Sequence, residues 1–330
     1  MAAPVCGRCR RGISGPCVQA LGASWHPACF VCAGCGKPLA GSFVERAGQG
    51  WHPACHEERF GLRCSVCGQV IQGQYFQVEG RPVCGRDYQE GVGPRCAVCG
   101  QVITGPFLVN ALGQKICQRH GAARACFSCT RWLNEVEQAQ GLYAPFGTAL
   151  CGRCQPGRID AAGLGPYGLA FGVAALGELG LALGAPREVP IRLEPLEALR
   201  RLQSPVQAQA EGLTQTYVET TGGRETARGV RAIVVAGGLA KEHFEGVLAH
   251  EFGHVWLFQE GRAGVPEAAA EGFCELVRHR WLARLGTPLA LELRARLEAN
   301  PDPVYGDGFR RNRLSWERAG LPGVLALLGP

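Results

Sequence analysis

The segment His250-Glu251-Phe252-Gly253-His254 sets two imidazoles four residues apart, so on a helix both face one side and can reach one ion. Glu251 lies beside them, placed to take a proton from a water on that ion. The surrounding run Val247, Leu248, Ala249, Phe252, Val255, Trp256 and Leu257 is apolar. A buried helix with two histidines and a glutamate on one stripe needs a partner for them, and a metal ion is such a partner. Three protein ligands plus water make an open, catalytic zinc site. The third ligand is expected on the next helix, where Glu267, Glu271 and Glu275 recur every four residues. Glu271 is preferred, because it precedes Gly272 and its distance from His254 suits a turn and one reversed helix. Glu267 and Glu275 are then left to outer support or to solvent. Tyr305, with Arg310 behind it, is the candidate donor to an oxyanion. The stretch from Tyr305 to Arg310 also reads as a structural turn, with Gly306 and Gly308 at positive φ and Asp307 making an Asx-type bond.

A second metal chemistry fills the first half of the chain. Of 18 cysteines, seventeen lie in the first 154 residues. They form five sets of two short knuckles. These are Cys6, Cys9, His26, Cys29; Cys32, Cys35, His52, Cys55; Cys64, Cys67, Cys84, Asp87; Cys96, Cys99, Cys117, His120; and Cys126, Cys129, Cys151, Cys154. A two-residue gap lets both side chains of a knuckle face one ion, and two knuckles complete a tetrahedron of the soft ligands that zinc prefers. Every position is a protein ligand, so these five sites are closed and structural, and folding of this half depends on metal. One catalytic and five structural zinc ions are expected in all. His52 is taken over His56 because Trp51-His52-Pro53-Ala54-Cys55 repeats Trp25-His26-Pro27-Ala28-Cys29. Asp87 stands where the other sets carry cysteine or histidine. Each set is expected to close on its own ion, with no cross-bracing between the third and fourth. Cys17 and Cys274 are left over and read as small buried residues.

Composition narrows the function. With 330 residues and 46% hydrophobic content the chain can build two or three packed domains and is not disordered. The formal charge of +6 hints at nucleic acid, yet sixteen thiolates and five divalent ions bring it to about 0, and a sixth ion to about +2. A nucleic-acid partner is therefore not expected, and Arg8, Arg10 and Arg11 read as a solvated face. The opening residues lack an apolar signal region, which predicts a cytoplasmic location. The apolar stretch Tyr167 to Leu183 holds Glu178 and several glycines and predicts a buried helix, not a membrane span.

The elements that must hold the chemistry follow. Composition shifts near residue 157, from cysteine-rich to Gly-, Ala- and Leu-rich. Leu193 to Leu202 predicts a short helix, Val230 to Ala236 a strand, Phe244 to Gln259 a helix, and about Pro266 to Leu285 a second one. Arg231 to Val235 would be the edge that aligns an extended peptide.

The first two sets adjoin at Cys29-Phe30-Val31-Cys32, and this eight-ligand pattern with Trp-His-Pro-x-Cys-Phe before the junction resembles a LIM domain, a module that binds proteins. Sets three to five are similar to LIM knuckles with longer junctions. LIM knuckles ahead of a His-Glu-x-x-His helix resemble the LIM-linked metallopeptidases known in plants as ubiquitin-activated peptidases limiting organ growth. The likeness is carried by Gly212-Leu213-Thr214, Val247-Leu248-Ala249-His250-Glu251, Glu271-Gly272-Phe273-Cys274 and Pro303-Val304-Tyr305-Gly306-Asp307-Gly308-Phe309-Arg310.

That resemblance implies His250, His254 and Glu271 as zinc ligands and Glu251 as catalytic base. It implies an α+β fold, with an N-terminal array of LIM and LIM-like zinc-knuckle modules ahead of a zincin-like metallopeptidase domain. That domain would hold an active-site helix, a glutamate-bearing helix and a small β-sheet. The expected domains are 1–62, 63–157 and 158–330. The implied activity is zinc-dependent cleavage of protein or peptide substrates, with the LIM region recruiting partners or regulating the site. A zinc-stabilised interaction scaffold with a latent or vestigial site is the alternative. Ala270 departs from the plant pattern, which has a second glutamate there. Cys6 follows the first residue closely, so no ubiquitin-interacting helix is expected ahead of it, and only Lys37, Lys115 and Lys241 offer side-chain amines. Ubiquitin dependence is therefore not expected. Scarce lysine with abundant Arg, Gly and Ala suits a GC-rich bacterial genome.

Overall fold

The computed structural model describes residues 3–140, 146–184, 188–202, 210–262 and 264–329. Its contacts divide the chain into two units, Met1–Arg95 with Gln101–Thr104, and Cys96–Gly100 with Gly105–Pro330.

The first unit is built from hairpins that fill the spacers between paired knuckles. They are β1 (Val18–Ala20) with β2 (Ala23–Trp25), β3 (Val44–Arg46) with β4 (Gln49–Trp51), and β5 (Tyr75–Val78) with β6 (Arg81–Cys84). Helix α1 (Pro53–Phe60) follows the second hairpin, and the single turn α2 (Gly85–Asp87) follows the third. The apolar clusters are small, one around Phe30, Cys32, Leu39 and Trp51 and one around Cys64, Val83 and Tyr88. An isolated two-stranded hairpin is marginal in water, so cores of this size leave a large share of the stability to metal.

The second unit opens with the hairpin β7 (Phe107–Val109) and β8 (Lys115–Cys117) and the short α3 (Glu135–Ala139). Then come α4 (Leu169–Gly177), β9 (Ile191–Glu194), α5 (Leu196–Leu202), β10 (Gly212–Thr221), β11 (Arg224–Ala236), α6 (Lys241–Gln259), α7 (Glu267–Leu285), α8 (Pro288–Glu298) and α9 (Tyr305–Leu327). The helix expected from Leu193 begins later, because Pro195 disfavours helical backbone at Glu194 and leaves Leu193 to β9. The helix expected over 167–183 is the shorter α4.

One sheet spans this unit, in the order β10-β11-β9. β10 and β11 are antiparallel and joined across Gly222 and Gly223, both at positive φ as a type I′ turn requires. β9 runs parallel to β11. Strand β11 is thus central, and the expectation that Arg231 to Val235 forms the peptide-aligning edge is corrected: the edges are β10 and β9. The physical reason is legible in β11 itself. Ala232 to Ala236 are all buried, as suits a strand covered on both faces.

Helix α6 packs against β10 and β11 on one side and α7 on another, with α4 also against it and α9 behind α7. Residues from α4, β11, α6, α7 and α9 share one apolar core, including Phe171, Val235, Leu248, Phe252, Phe273 and Phe309. Helix α7 ends at Gly286 in the left-handed conformation, and Thr287 caps α8 by accepting from the Ala290 amide at 3.2 Å. Among the described residues no helix is long and apolar enough to cross a membrane.

Candidate metal centres and active site

The ligand atoms of each cysteine set come together as the spacing predicts. In all five sets they lie within 4.8 Å of one another, and each set closes on itself. These clusters fit zinc. His52 sits in the second cluster, while His56 packs on Phe60 with ring centroids 5.2 Å apart. Asp87 takes the fourth place of the third cluster, and Cys64 Sγ donates to its Oδ2 at 3.0 Å. Only the fifth cluster is buried at all four positions. Of the leftover cysteines, Cys274 is buried, whereas Cys17 is exposed, a correction to the expectation for that residue. Cys17 lies just before β1 on a small module that has little interior to offer it.

In the second unit, α6 and α7 bring His250, His254 and Glu271 to one point. His250 Nε2 and His254 Nε2 are 3.2 Å apart, and Glu271 Oε2 stands 3.2 Å from the first and 3.5 Å from the second. Zinc bonds of 2.0–2.1 Å at tetrahedral angles separate ligand atoms by about 3.3 Å. Glu271 Oε2 is buried and makes no hydrogen bond of acceptable geometry, although both imidazoles surround it. Three atoms that converge at ligand spacing with an unsatisfied carboxylate oxygen are what a divalent ion resolves. The field has the right sign as well. Burial alone would lower the His250 pKa, but Glu275 and Glu271 override it and raise it to about 10. Burial likewise acts to raise Glu271, and the two imidazoles outweigh it and hold the carboxyl below its ordinary range.

The surrounding groups divide into outer support and cleft. Glu275 is buried, with Oε1 at ion-pair distance, 3.3 Å, from His250 Nδ1, so it lies beside that ring and is not left to solvent. Glu267 is exposed. A cleft of about 270 Å³ opens over the site, lined by Gly212, Leu213, Thr214 and Thr216 of β10, by His250, Glu251, His254 and Phe258 of α6, and by Glu271 and Tyr305. Glu251 faces this cleft, and Thr214 Oγ1 donates to its Oε2 at 2.7 Å. A Cβ at position 212 would stand 2.4 Å from Glu251 Oε1, so β10 passes the carboxylate closely enough to require glycine. Neither Thr214 nor Gly212 had a role legible in the sequence beyond the family-like triplet they share.

Tyr305 is the first residue of α9, not part of a loop. Asp302 Oδ1 accepts from the amides of Val304 and Tyr305 at 2.8 and 2.9 Å and fixes the start of the helix. Gly306 and Gly308 are helical, which corrects the turn reading. Their smallness serves close packing, since a Cβ on Gly308 would lie 2.2 Å from Ala268 O in α7. The Tyr305 ring stacks near His250 with centroids 6.4 Å apart. Burial first, then Glu271, Glu275 and Glu251, push its phenol above the ordinary tyrosine range, so it stays a donor. Arg310 does not stand behind it. Its guanidinium donates to Asn300 O at 2.7 Å and pairs with Asp307, tying down the helix start.

Comparison with known proteins agrees with this division. The LIM-domain family matches residues 6–50 and 42–92. The DA1-like family, described as Protein DA1, matches residues 199–292, the segment that holds His250, Glu251, His254, Glu271 and Glu275. Protein DA1 of Arabidopsis thaliana is 27% identical over an alignment covering 28% of this chain and 23% of that relative. The match thus spans about a quarter of the relative's length. LIM domains and a DA1-like domain in one chain show a relationship to the LIM-linked DA1 family.

Proposed function

We propose that this chain is a zinc-dependent endopeptidase with a zincin-like catalytic domain, holding one catalytic and five structural ions, whose LIM region engages protein partners or substrates. The observation that carries the reading is the convergence of His250, His254 and Glu271 at ligand spacing beside Glu251, beneath the edge strand β10.

His250, His254 and Glu271 would hold the ion. Zinc supplies Lewis acidity, polarising a carbonyl oxygen and lowering the pKa of water to about 7 in well-studied enzymes. The protein's own groups do the rest. An extended substrate adds to β10 through main-chain hydrogen bonds, which sets the scissile bond over the helix. Glu251 takes the proton of the attacking water and passes it to the leaving amine. Thr214 holds the Glu251 carboxylate in one orientation throughout. Tyr305, kept protonated, donates to the developing oxyanion.

The test combines metal content with cleavage. Purified wild type should carry one more zinc per chain than the His250→Ala/His254→Ala variant, the cysteine-bound ions being retained in both. Glu251→Gln keeps the ligand set and should slow the appearance of new N-termini in a lysate by about 10²-fold or more. Equal zinc in the first pair, or Glu251→Gln cutting as fast as wild type, sinks the peptidase reading and leaves the interaction scaffold.

A further inference from the structure

The fifth cysteine cluster is built into the helical core, and we propose that it anchors the active-site helix: Ser128, between Cys126 and Cys129, and Glu211 are positioning residues that hold His250 toward its ion through a buried polar relay. The inference rests on the metal reading of His250, His254 and Glu271.

The relay begins where α6 begins. Its N-cap is Ala240, whose methyl group accepts no hydrogen bond. Ser128 holds that residue from outside the helix: its Oγ accepts from the Ala240 amide at 3.0 Å. The same hydroxyl lies 3.2 Å from His243 Nδ1, and Phe127 stacks on the His243 ring with centroids 6.0 Å apart. Arg296 donates to the Ser128 carbonyl. The knuckle therefore grips both the start of α6 and its first turn. Cys126, Cys129, Cys151 and Cys154 also share an apolar cluster with Leu282, Leu289 and Leu293, so the metal sets the shape of a wall of the core.

His243 precedes His250 by two helical turns on the same stripe. Its Nε2 is 2.7 Å from Glu211 Oε2. Arg278 bridges the next gap, with Nη2 3.7 Å from Glu211 Oε2 and Nη1 3.6 Å from Glu275 Oε1. Glu275 then meets His250 Nδ1 at 3.3 Å. Ser128, His243 and Glu275 are buried, while the Arg278 and Glu211 side chains keep 14% and 24% of their surface exposed. Burial alone would raise the Glu211 carboxyl, but His243, Arg278 and Arg296 outweigh it and hold it down to about 2. A largely buried charge needs its partner, so each member fixes the place of the next. The carboxylate on the far nitrogen of a ligand histidine sets both the ring's orientation and its basicity. Glu211 thus acts on His250 through Arg278 and Glu275, and it also precedes Gly212, the residue that passes Glu251.

The test uses the full chain and zinc itself. A chelator titration reads the retention of the one ion that His250→Ala/His254→Ala loses. Glu211→Gln should weaken that ion about tenfold while the cysteine-bound ions stay. Ser128→Ala, which leaves the charged pairs in place, should weaken it about threefold. Thr148→Val is the control for a merely structural effect. It removes the bonds from Thr148 Oγ1 to the carbonyls of Gly237 and Gly238, at 3.2 and 3.3 Å, without touching the relay, and it should leave retention unchanged. Wild-type retention in both Glu211→Gln and Ser128→Ala overturns the inference, as does equal loss in Thr148→Val. A wild type with no ion at the histidine pair overturns the metal reading beneath it. Because the readout is metal retention, absence of cleavage bears only on the proposed function.

Discussion

The two units solve the same problem, holding metal ligands in place, at opposite ranges. In the first unit every cluster is closed by knuckles and one hairpin, with ligands such as Cys32, Cys35, His52 and Cys55 gathered from a short stretch. The apolar clusters buried there are small, one around Phe30, Leu39 and Trp51 and one around Val83 and Tyr88. In the second unit the histidine site draws on α6 and α7, with Tyr305 from α9, and those helices share a continuous core. The difference teaches where the organisation of each unit lies. In the first unit the knuckles carry most of the organisation, whereas in the second a large helical core surrounds the histidine pair. The fifth cluster belongs to the second kind of surroundings, buried on every side.

The sharpest way to break that comparison is to remove the metal. A strong chelator under reducing conditions should unfold the first unit, since a structural zinc site contributes about 10–16 kcal/mol of apparent binding free energy. Proteolytic cleavage should then concentrate between residues 3 and 95, while most of the helical circular dichroism from α6, α7 and α9 survives. Helices that melt together with the knuckles would show that the second unit needs its metal as much as the first.

A smaller effect separates two kinds of glycine. Gly272 lies where α7 crosses α9, and a Cβ there would stand 2.2 Å from the Gly308 carbonyl carbon. Gly272→Ala should destabilise by about 3 kcal/mol through overpacking, read as a fall in Tm. Gly68, in a knuckle turn at φ 72 with nothing within 4 Å of a Cβ, pays only for the left-handed backbone. Gly68→Ala should cost about 1 kcal/mol. Equal costs would mean that the helix crossing yields as easily as a turn.

The last expected effect, on catalysis and not on stability, lies at Thr214. Thr214→Val removes the 2.7 Å bond to Glu251 Oε2 and keeps the side chain's shape. It should lower kcat about tenfold with KM nearly unchanged, in line with one charged hydrogen bond of about 1.5 kcal/mol. A rise in KM alone would instead make Thr214 a substrate contact of the β10 edge.

What was legible in the sequence was local. The two-residue gaps of the knuckles, the i, i+4 histidines and the apolar faces of α6 and α7 all report on neighbours along the chain, because knuckle and helix geometry are set within a few residues. Pro195 could have shortened the helix expected at Leu193 by the same local rule. The errors were non-local. Val230 to Ala236 reads as a strand, but its composition does not name its neighbours, and only the placement of β9 and β10 made it central. Gly306 and Gly308 read as turn glycines because sequence shows that a side chain is missing, not what fills the space. Arg310 lay near Tyr305 in the chain and turned instead to Asn300.

The sequence by itself determined the grouping of the cysteines into five clusters, the spacing of the histidine pair, and the helices that carry His250, His254 and Glu271. Tertiary structure alone decided that Glu275 supports His250, that Thr214 steadies Glu251, and that Ser128 reaches Ala240 and His243 across more than a hundred residues. The reason is physical. Ligand identity and helical phase are properties of short segments, but the partner of a buried polar group is whichever group packing brings to it, and burial makes finding that partner obligatory.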